Sequence, residues 1–320
     1  MSGVRAGRPA DSAARQPIRA NRRLIAAFAA VYLIWGSSFV ASKVMVTTLP
    51  VLLAAGSRFV VAGLVLGAVA YALGEALPKN SREWRRAFVM GLFTVVGANG
   101  LNAIAIQHIP SNQSALLNAS SALWIALLGT RGRRRHPLNR AAVLGLVLGF
   151  AGVALVVWPR GTHIEAHLGW QLAVVIACLS WALGTFYYRE VQPTTSPLMY
   201  TSMQMLLGGL SLAAVGLALG QASLWRWSVP GAISFAYLTL FSSCVAYAAF
   251  AYLMTHTTPA RYGTYAYVNP AVAAVLGWLY FGERLSKVQL LGTAIILAGV
   301  GILTLAEPGE RPAPPSEPAG

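Results

Sequence analysis

The chain has 320 residues, 56% hydrophobic and 10% charged, with a formal net charge of +15 and a mean hydropathy of +0.59. A water-soluble domain carries about a quarter of its residues charged to cover its surface, so a soluble fold is excluded. The basic excess invites a nucleic-acid reading, but Lys and Arg lie between apolar runs rather than among soluble aromatic residues, and no nucleic-acid partner is expected.

In chain order, residues 1–23 form a basic tail expected to be disordered; a transit peptide is the alternative for this Arg-rich, acid-poor segment. Apolar stretches near the ~20 residues that cross a bilayer follow at 24–44, 50–73, 86–106, 112–129, 140–157, 169–188, 197–219, 231–253, 260–281 and 287–305. The first is longer than a signal-peptide core and lacks a cleavage site. Pro50, Pro78, Pro110, Pro137, Pro159, Pro193, Pro230 and Pro259 stand at or beside the proposed ends, where a missing N–H is tolerated. Residues 306–320, rich in Pro and Glu, are a second disordered tail. The expected class is an all-α polytopic membrane protein of ten transmembrane helices. Cys178 and Cys244 both lie inside apolar runs, which excludes a disulfide framework.

Eighteen of the 24 Lys and Arg fall on the side of the N-terminus, four on the other side, and Lys43 and Arg58 within spans. Positive loops stay in the cytoplasm, so both termini are expected there, with Arg131–Arg135 as a topogenic cluster touching anionic lipid.

The chain also repeats itself. At an offset of 146, Leu33, Trp35, Leu52, Gly63, Leu64 and Leu66 match Leu179, Trp181, Leu198, Gly209, Leu210 and Leu212; at 147, Leu144-Gly145 and Ala151-Gly152-Val153 match Leu291-Gly292 and Ala298-Gly299-Val300. The halves, 24–157 and 169–305, each hold five spans. An odd number inserts the second half upside down, the inverted repeat of secondary transporters. Gly63-xxx-Gly67, Gly145-xxx-Gly149 and Gly216-xxx-Gly220 offer close helix contacts.

Several segments carry a family resemblance: Tyr32-Leu33-Ile34-Trp35-Gly36-Ser37-Ser38-Phe39, Arg58-Phe59 with Ala62-Gly63, Val96-Gly97-Ala98-Asn99-Gly100, Tyr265-Ala266-Tyr267-Val268-Asn269-Pro270 with Leu276-Gly277, and Gly282-Glu283-Arg284-Leu285-Ser286-Lys287. Together they resemble the EamA family of the drug/metabolite transporter superfamily, in particular its bacterial inner-membrane amino-acid, metabolite and drug exporters. The resemblance implies a ten-helix bundle whose central cavity is formed mainly by the first, third, fourth, sixth, eighth and ninth helices, and export of small organic solutes. Asn269-Pro270 stands where the common pattern has Glu-Pro, so no role resting on that carboxylate carries over.

Polar groups inside spans are site candidates because lipid offers them no partner. Tyr262, Tyr265 and Asn269 share a face of the ninth span, where Pro270 reads as a substrate-facing helix break, with a structural kink as the alternative. The first span offers Trp35, Ser38 and Ser42; the third Asn99 and Asn102; the fourth Ser114, Asn118 and Ser121; the sixth Trp181, Thr185 and Tyr188; the eighth Ser243 and Tyr247. If these faces converge, they line a polar, aromatic pocket. Lys43 is expected to snorkel outward. Arg58 lies about 12 Å into the second span and is read as mainly architectural, with Glu283 or helix carbonyls as partners and a lesser role in drawing a substrate carboxylate.

No Asp or Glu lies within a span, and His108 and His256 sit at span ends. Uniport, exchange or indirect proton linkage therefore fits better than a buried carboxylate relay. The ligand-like spacing of His163-Ile164-Glu165-Ala166-His167 falls in an outer loop and is read as solvated rather than as a metal site. No Walker loop, dinucleotide turn or catalytic triad is present, so no enzyme activity, cofactor or metal is expected; a lipid-modifying membrane enzyme would need clustered acids, His or Cys. The expected function is export of small amphipathic metabolites across the inner membrane by alternating access, with import or a non-transporting membrane regulator or scaffold as alternatives. The expected partners are a small-molecule substrate and the lipid bilayer, in a monomer or weak homodimer.

Overall fold

The computed structural model describes residues 22–133, 138–157, 164–257, 262 and 264–306. Both tails, Arg134, Arg135, Pro137, Pro159, Arg160, His163, Pro259 and Arg261 lie outside the described residues, as do the side chains of Glu165 and His167.

The described residues form ten helical spans and no strand: α1 Arg22–Thr48, α2 Val51–Ala72, α3 Ser81–His108, α4 in two pieces (Ser111–Asn118 and Ser121–Gly129), α5 Arg140–Val157, α6 Ile164–Val191, α7 Pro197–Ala218, α8 in three successive stretches (Val229–Tyr237, Leu238–Ala246 and Tyr247–His256), α9 Tyr265–Phe281 and α10 Lys287–Ala306. Seven of them, α1, α2, α3, α5, α6, α7 and α8, are long and apolar enough to cross a membrane alone; α9 and α10 contain the shorter apolar stretches Val268–Phe281 and Lys287–Leu303. Outward residues such as Leu64, Leu144, Val147 and Leu279 expose more than half of their surface. In water that apolar surface would be costly, whereas in a bilayer it is the solvated face.

Two antiparallel pairs dominate the bundle, and each joins a helix to its own repeat mate. Along α2 and α7 the closest approaches run in opposite order: an added Cβ would meet the backbone of Leu53 from Gly216 at 2.7 Å, of Ala213 from Gly56 at 2.7 Å, and of Leu206 from Gly63 at 2.7 Å. The 146-residue offset maps Gly56 onto Ser202 and Gly63 onto Gly209. Gly56 lies against Gly209 and Gly63 against Ser202, the reciprocal pairing that a two-fold axis demands. The α5–α10 pair repeats it at 147, with Gly145 against Gly299 and Gly152 against Gly292. Similar halves facing each other across antiparallel contacts are halves of opposite orientation, which makes the fold an inverted repeat. Without a hydrophobic effect between helices in lipid, bare backbone lets them approach and gain dispersion contact.

Of the expected Gly-xxx-Gly motifs, Gly63, Gly145, Gly149 and Gly216 sit in such crossings. Gly67 only grazes Ser202, and a Cβ added at Gly220 would meet nothing within 4 Å: with φ +72 this glycine ends α7 in the left-handed conformation that glycine adopts without strain.

Three helices carry π-helical stretches, Val31–Trp35 in α1, Leu92–Gly100 in α3 and Leu238–Ala246 in α8. The last two are related by the repeat offset residue for residue. Such i→i+5 turns are rare and concentrate at functional positions.

Candidate functional site

A cavity of about 850 Å³, counting its open mouth, lies between α1, α2, α3, α4, α6, α8 and α9. The resemblance implies six of these helices; α2 joins them through Arg58.

Trp35 organises the aromatic wall. It stands edge-on to Tyr247 (5.3 Å between centroids), Tyr265 (5.4 Å) and Trp181 (6.3 Å), with Phe250 tilted behind it at 5.1 Å. These separations suit aromatic pairs, whose positive edges meet negative faces. Its Nε1 donates to the Ser242 carbonyl at 3.2 Å, so the indole is oriented as well as packed.

The amides form a second wall. Asn102 Oδ1 accepts from Ser114 Oγ (2.8 Å) and Asn118 Nδ2 (3.2 Å), tying α3 to α4. Asn99 donates from Nδ2 to the Thr94 carbonyl five residues back (2.7 Å) and to the Tyr247 hydroxyl (3.4 Å). The wide turn of α3 therefore positions Asn99. Asn269, 6% exposed, lines the cavity with a buried Oδ1 that has no partner.

Among the described residues Arg58 is the one charged side chain in the wall, and it is 6% exposed. Nη1 donates to Ser243 Oγ at 3.2 Å and Nη2 to Asn99 Oδ1 at 3.3 Å; Nε is buried without a partner, and the guanidinium carbon lies 4.2 Å from the Phe59 ring centroid. Every hydrogen-bond acceptor it has is neutral. The expected partner Glu283 is engaged elsewhere: its carboxylate accepts from Ser111 N (2.7 Å), Ser111 Oγ (2.8 Å) and Asn112 N (3.0 Å) at the start of α4. A helix N-terminus offers four unsatisfied N–H groups and a partial positive charge, which competes successfully for a carboxylate. At an effective dielectric near 20, an anion 4 Å from a guanidinium gains about 4 kcal/mol, against the ~0.5–2 kcal/mol of a cation over a ring. Near Arg58 the charge therefore outweighs the rings.

The cavity brings together Trp35, Ser38 and Ser42 of α1, Asn99 and Asn102 of α3, and Asn118 and Ser121 of α4. Trp181 of α6, Tyr247 of α8, and Tyr265, Asn269 and Pro270 of α9 complete that group. Six candidates lie outside its wall, among them Ser114 and Ser243, which bond Asn102 and Arg58. Thr185 Oγ1 donates to the carbonyl of Trp181 on its own helix (3.0 Å), Tyr188 packs on Tyr200 and Tyr262 packs edge-on to Phe250. Lys43 does not reach for solvent: Nζ donates to the carbonyls of Ile106 (2.7 Å), Gln107 (3.0 Å) and Ile109 (3.0 Å), satisfying the end of α3.

Pro270 does not break its helix. α9 runs unbroken from Tyr265 to Phe281, and because Pro270 is only its sixth residue the missing bond falls on the second, Ala266. The broken helix is α4, where Asn118 and Ser121 turn their side chains onto the carbonyls of Ser114 and Asn118, and i→i+3 bonds replace i→i+4 bonds around Ala119 and Ser120. Phe39, Ser242 and the small residues Ala98, Ala115, Ala119 and Ala177 also line the cavity, without a sequence pattern that marks them. Small side chains leave room rather than make contacts, and so give no signal in a sequence.

The EamA-like transporter family matches the chain twice, over residues 22–158 and 168–305. The uncharacterized inner membrane transporter YedA of Escherichia coli is 30% identical over 89% of this chain and 91% of its own length. The uncharacterized transporter YvbV of Bacillus subtilis is 25% identical over 93% of this chain and 96% of its own. A solved crystal structure shares the fold with a TM-score of 0.64 at 20% identity, over 89% of this chain and 98% of that one. This multi-pass membrane protein, with two inverted five-helix halves around a central cavity, belongs to the EamA-like transporter family.

Proposed function

We propose that the chain is a secondary transporter that exports small amphipathic organic solutes across a bacterial inner membrane by alternating access. The observation that carries this reading is the cavity itself, where rings, amides and one guanidinium converge from both halves of an inverted repeat. Rings supply apolar and stacking contact, while Asn99, Asn102, Asn118 and Asn269 orient polar groups. Halves that exchange conformations expose such a site to one side and then the other. With no carboxylate in the wall among the described residues, exchange, uniport or indirect proton linkage suits the site better than a proton relay through it.

The reading is tested by comparing the metabolite content and drug tolerance of cells with and without the protein, then measuring efflux of each hit from vesicles. Flux that depends on the protein supports it; a wild-type phenotype without any flux supports a regulator instead. Asn269→Ala is expected to reduce efflux about tenfold at unchanged abundance, the cost of one lost hydrogen bond to a polar solute. Equal loss of protein and flux would make Asn269 structural. The charge asymmetry supports a cytoplasmic position for both termini: reporter fusions at residues 1 and 320 are expected to give cytoplasmic signals, and a periplasmic C-terminus would mean an odd number of crossings.

A further inference from the structure

We propose that the cavity selects amphipathic solutes bearing one carboxylate, held at the Arg58 guanidinium while the apolar body lies against Trp35, Trp181, Tyr247 and Tyr265. The inference rests on the transport reading and specifies its substrate class.

A guanidinium has five donors in a planar fork, and Arg58 engages two of them, each at more than 3.1 Å and each on a neutral oxygen. Nε is buried without a partner. A buried cation is stable only when paired and fully hydrogen-bonded, so this one is left incompletely satisfied until an anion arrives.

Among the described residues no carboxylate competes for the position. Glu283 caps α4, Glu83 pairs with Arg86 and Thr195, Glu75 bonds Ser196, and Glu190 accepts from the Arg133 N–H. The orphaned side chain is also held in place. Ser243 comes from the π-helical stretch of α8 and Asn99 from that of α3, and Asn99 links onward to Tyr247 of the aromatic wall. The anion subsite and the apolar subsite therefore share one hydrogen-bonded chain. Rings alone would favour cations; Arg58 reverses that preference. The free Oδ1 of Asn269 accepts from any N–H or O–H the solute carries.

Full-length protein in lipid nanodiscs is titrated with two matched series, 3-phenylpropionate, 3-phenylpropanamide and 3-phenylpropylamine, and their indolyl counterparts. Binding is read by calorimetry and by ligand-induced thermal stabilisation. The acids are expected to bind about tenfold or more tightly than the amides, and the amines more weakly than either. Arg58→Gln is expected to remove the acid preference with amide binding retained, and Arg58→Lys to keep it in part, because charge survives while the planar fork is lost. Amides or amines binding as tightly as acids to the unaltered protein overturns the anion assignment and leaves the cavity as a solute site. Acid preference surviving Arg58→Gln overturns it as well. If no member of either series binds, the solute-cavity reading falls too. The wild-type order needs no variant to fold, so the proposal stands or falls on it even where Arg58→Gln is unstable.

Discussion

Replacing Gly56 by alanine is expected to lower the melting temperature of the purified protein by several degrees, while the same change at Gly67, eleven residues along the same helix, leaves it level or raises it. Both positions are helical, so intrinsic propensity favours alanine at each by about 1 kcal/mol. Packing decides the sign. At Gly56 the new methyl would sit 2.7 Å from the Ala213 Cα and 2.8 Å from the Gly209 carbonyl oxygen, backbone atoms that cannot rotate away. At Gly67 the nearest atom is Ser202 Oγ at 3.4 Å, an ordinary contact. Overpacking costs about 1–3 kcal/mol, with the upper end expected where backbone must move. At roughly 2–4 °C per kcal/mol for a large domain, the net loss is about 4–8 °C. Gly299→Ala, with the Gly149 Cα at 2.7 Å, is expected to match it in the second crossing. If Gly56→Ala and Gly67→Ala behave alike, α2 and α7 do not meet through bare backbone.

The repeat that sets these crossings was readable because it is written in residue identities: Gly63 with Gly209, Gly145 with Gly292, Gly152 with Gly299. The span count was readable because lipid imposes a length on every apolar run. The rotation of each helix was readable only where the helix is regular. In α8 the π-helical stretch brings residues five apart onto one side, so Ser242 joins Tyr247 in the cavity wall while Ser243, expected there, bonds Arg58. No periodicity of 3.6 anticipates that shift. The helix break was misplaced for a related reason. Proline is the conspicuous breaker, but its effect depends on where the helix begins, and α9 is described as continuous only from Tyr265. The break in α4 arises from side-chain competition at Asn118 and Ser121, residue types that elsewhere sit quietly inside helices. Arg58 was legible as an intramembrane charge, mainly architectural with a lesser role toward a substrate carboxylate; which role leads depends on what Glu283 does 225 residues later.

Glu283→Ala is expected to speed labelling of a cysteine introduced at Ser42 by an impermeant maleimide about five- to thirtyfold, with the reagent on the Glu283 side. α9 closes on Gly282 at φ +66, whose N–H reaches the Trp278 carbonyl (3.0 Å), while Glu283 N reaches that of Gly277 (3.2 Å). This Schellman-type end fixes the carboxylate over the bare backbone of Gly277, where a side chain would strike it, and against the first N–H groups of α4. Pro110, the residue that precedes α4, supplies no side-chain cap, so Glu283 does this from another helix. Losing a cap costs about 0.5–2 kcal/mol, and 1–2 kcal/mol changes an equilibrium about five- to thirtyfold. Lys43 ties α1 to the last carbonyls of α3 at the same end of the bundle, so Glu283 and Lys43 hold four helices there. Under alternating access this end must part for solute to pass, and weakening the carboxylate tie shifts the population toward the parted state. The background is quiet, since Cys178 and Cys244 are both buried. Glu283→Gln retains one acceptor oxygen without the charge and is expected to fall between wild type and alanine. An unchanged labelling rate in Glu283→Ala would mean that the tie stabilises α4 without governing access, and the gate would then have to be sought among the rings of Trp35, Phe250 and Tyr265.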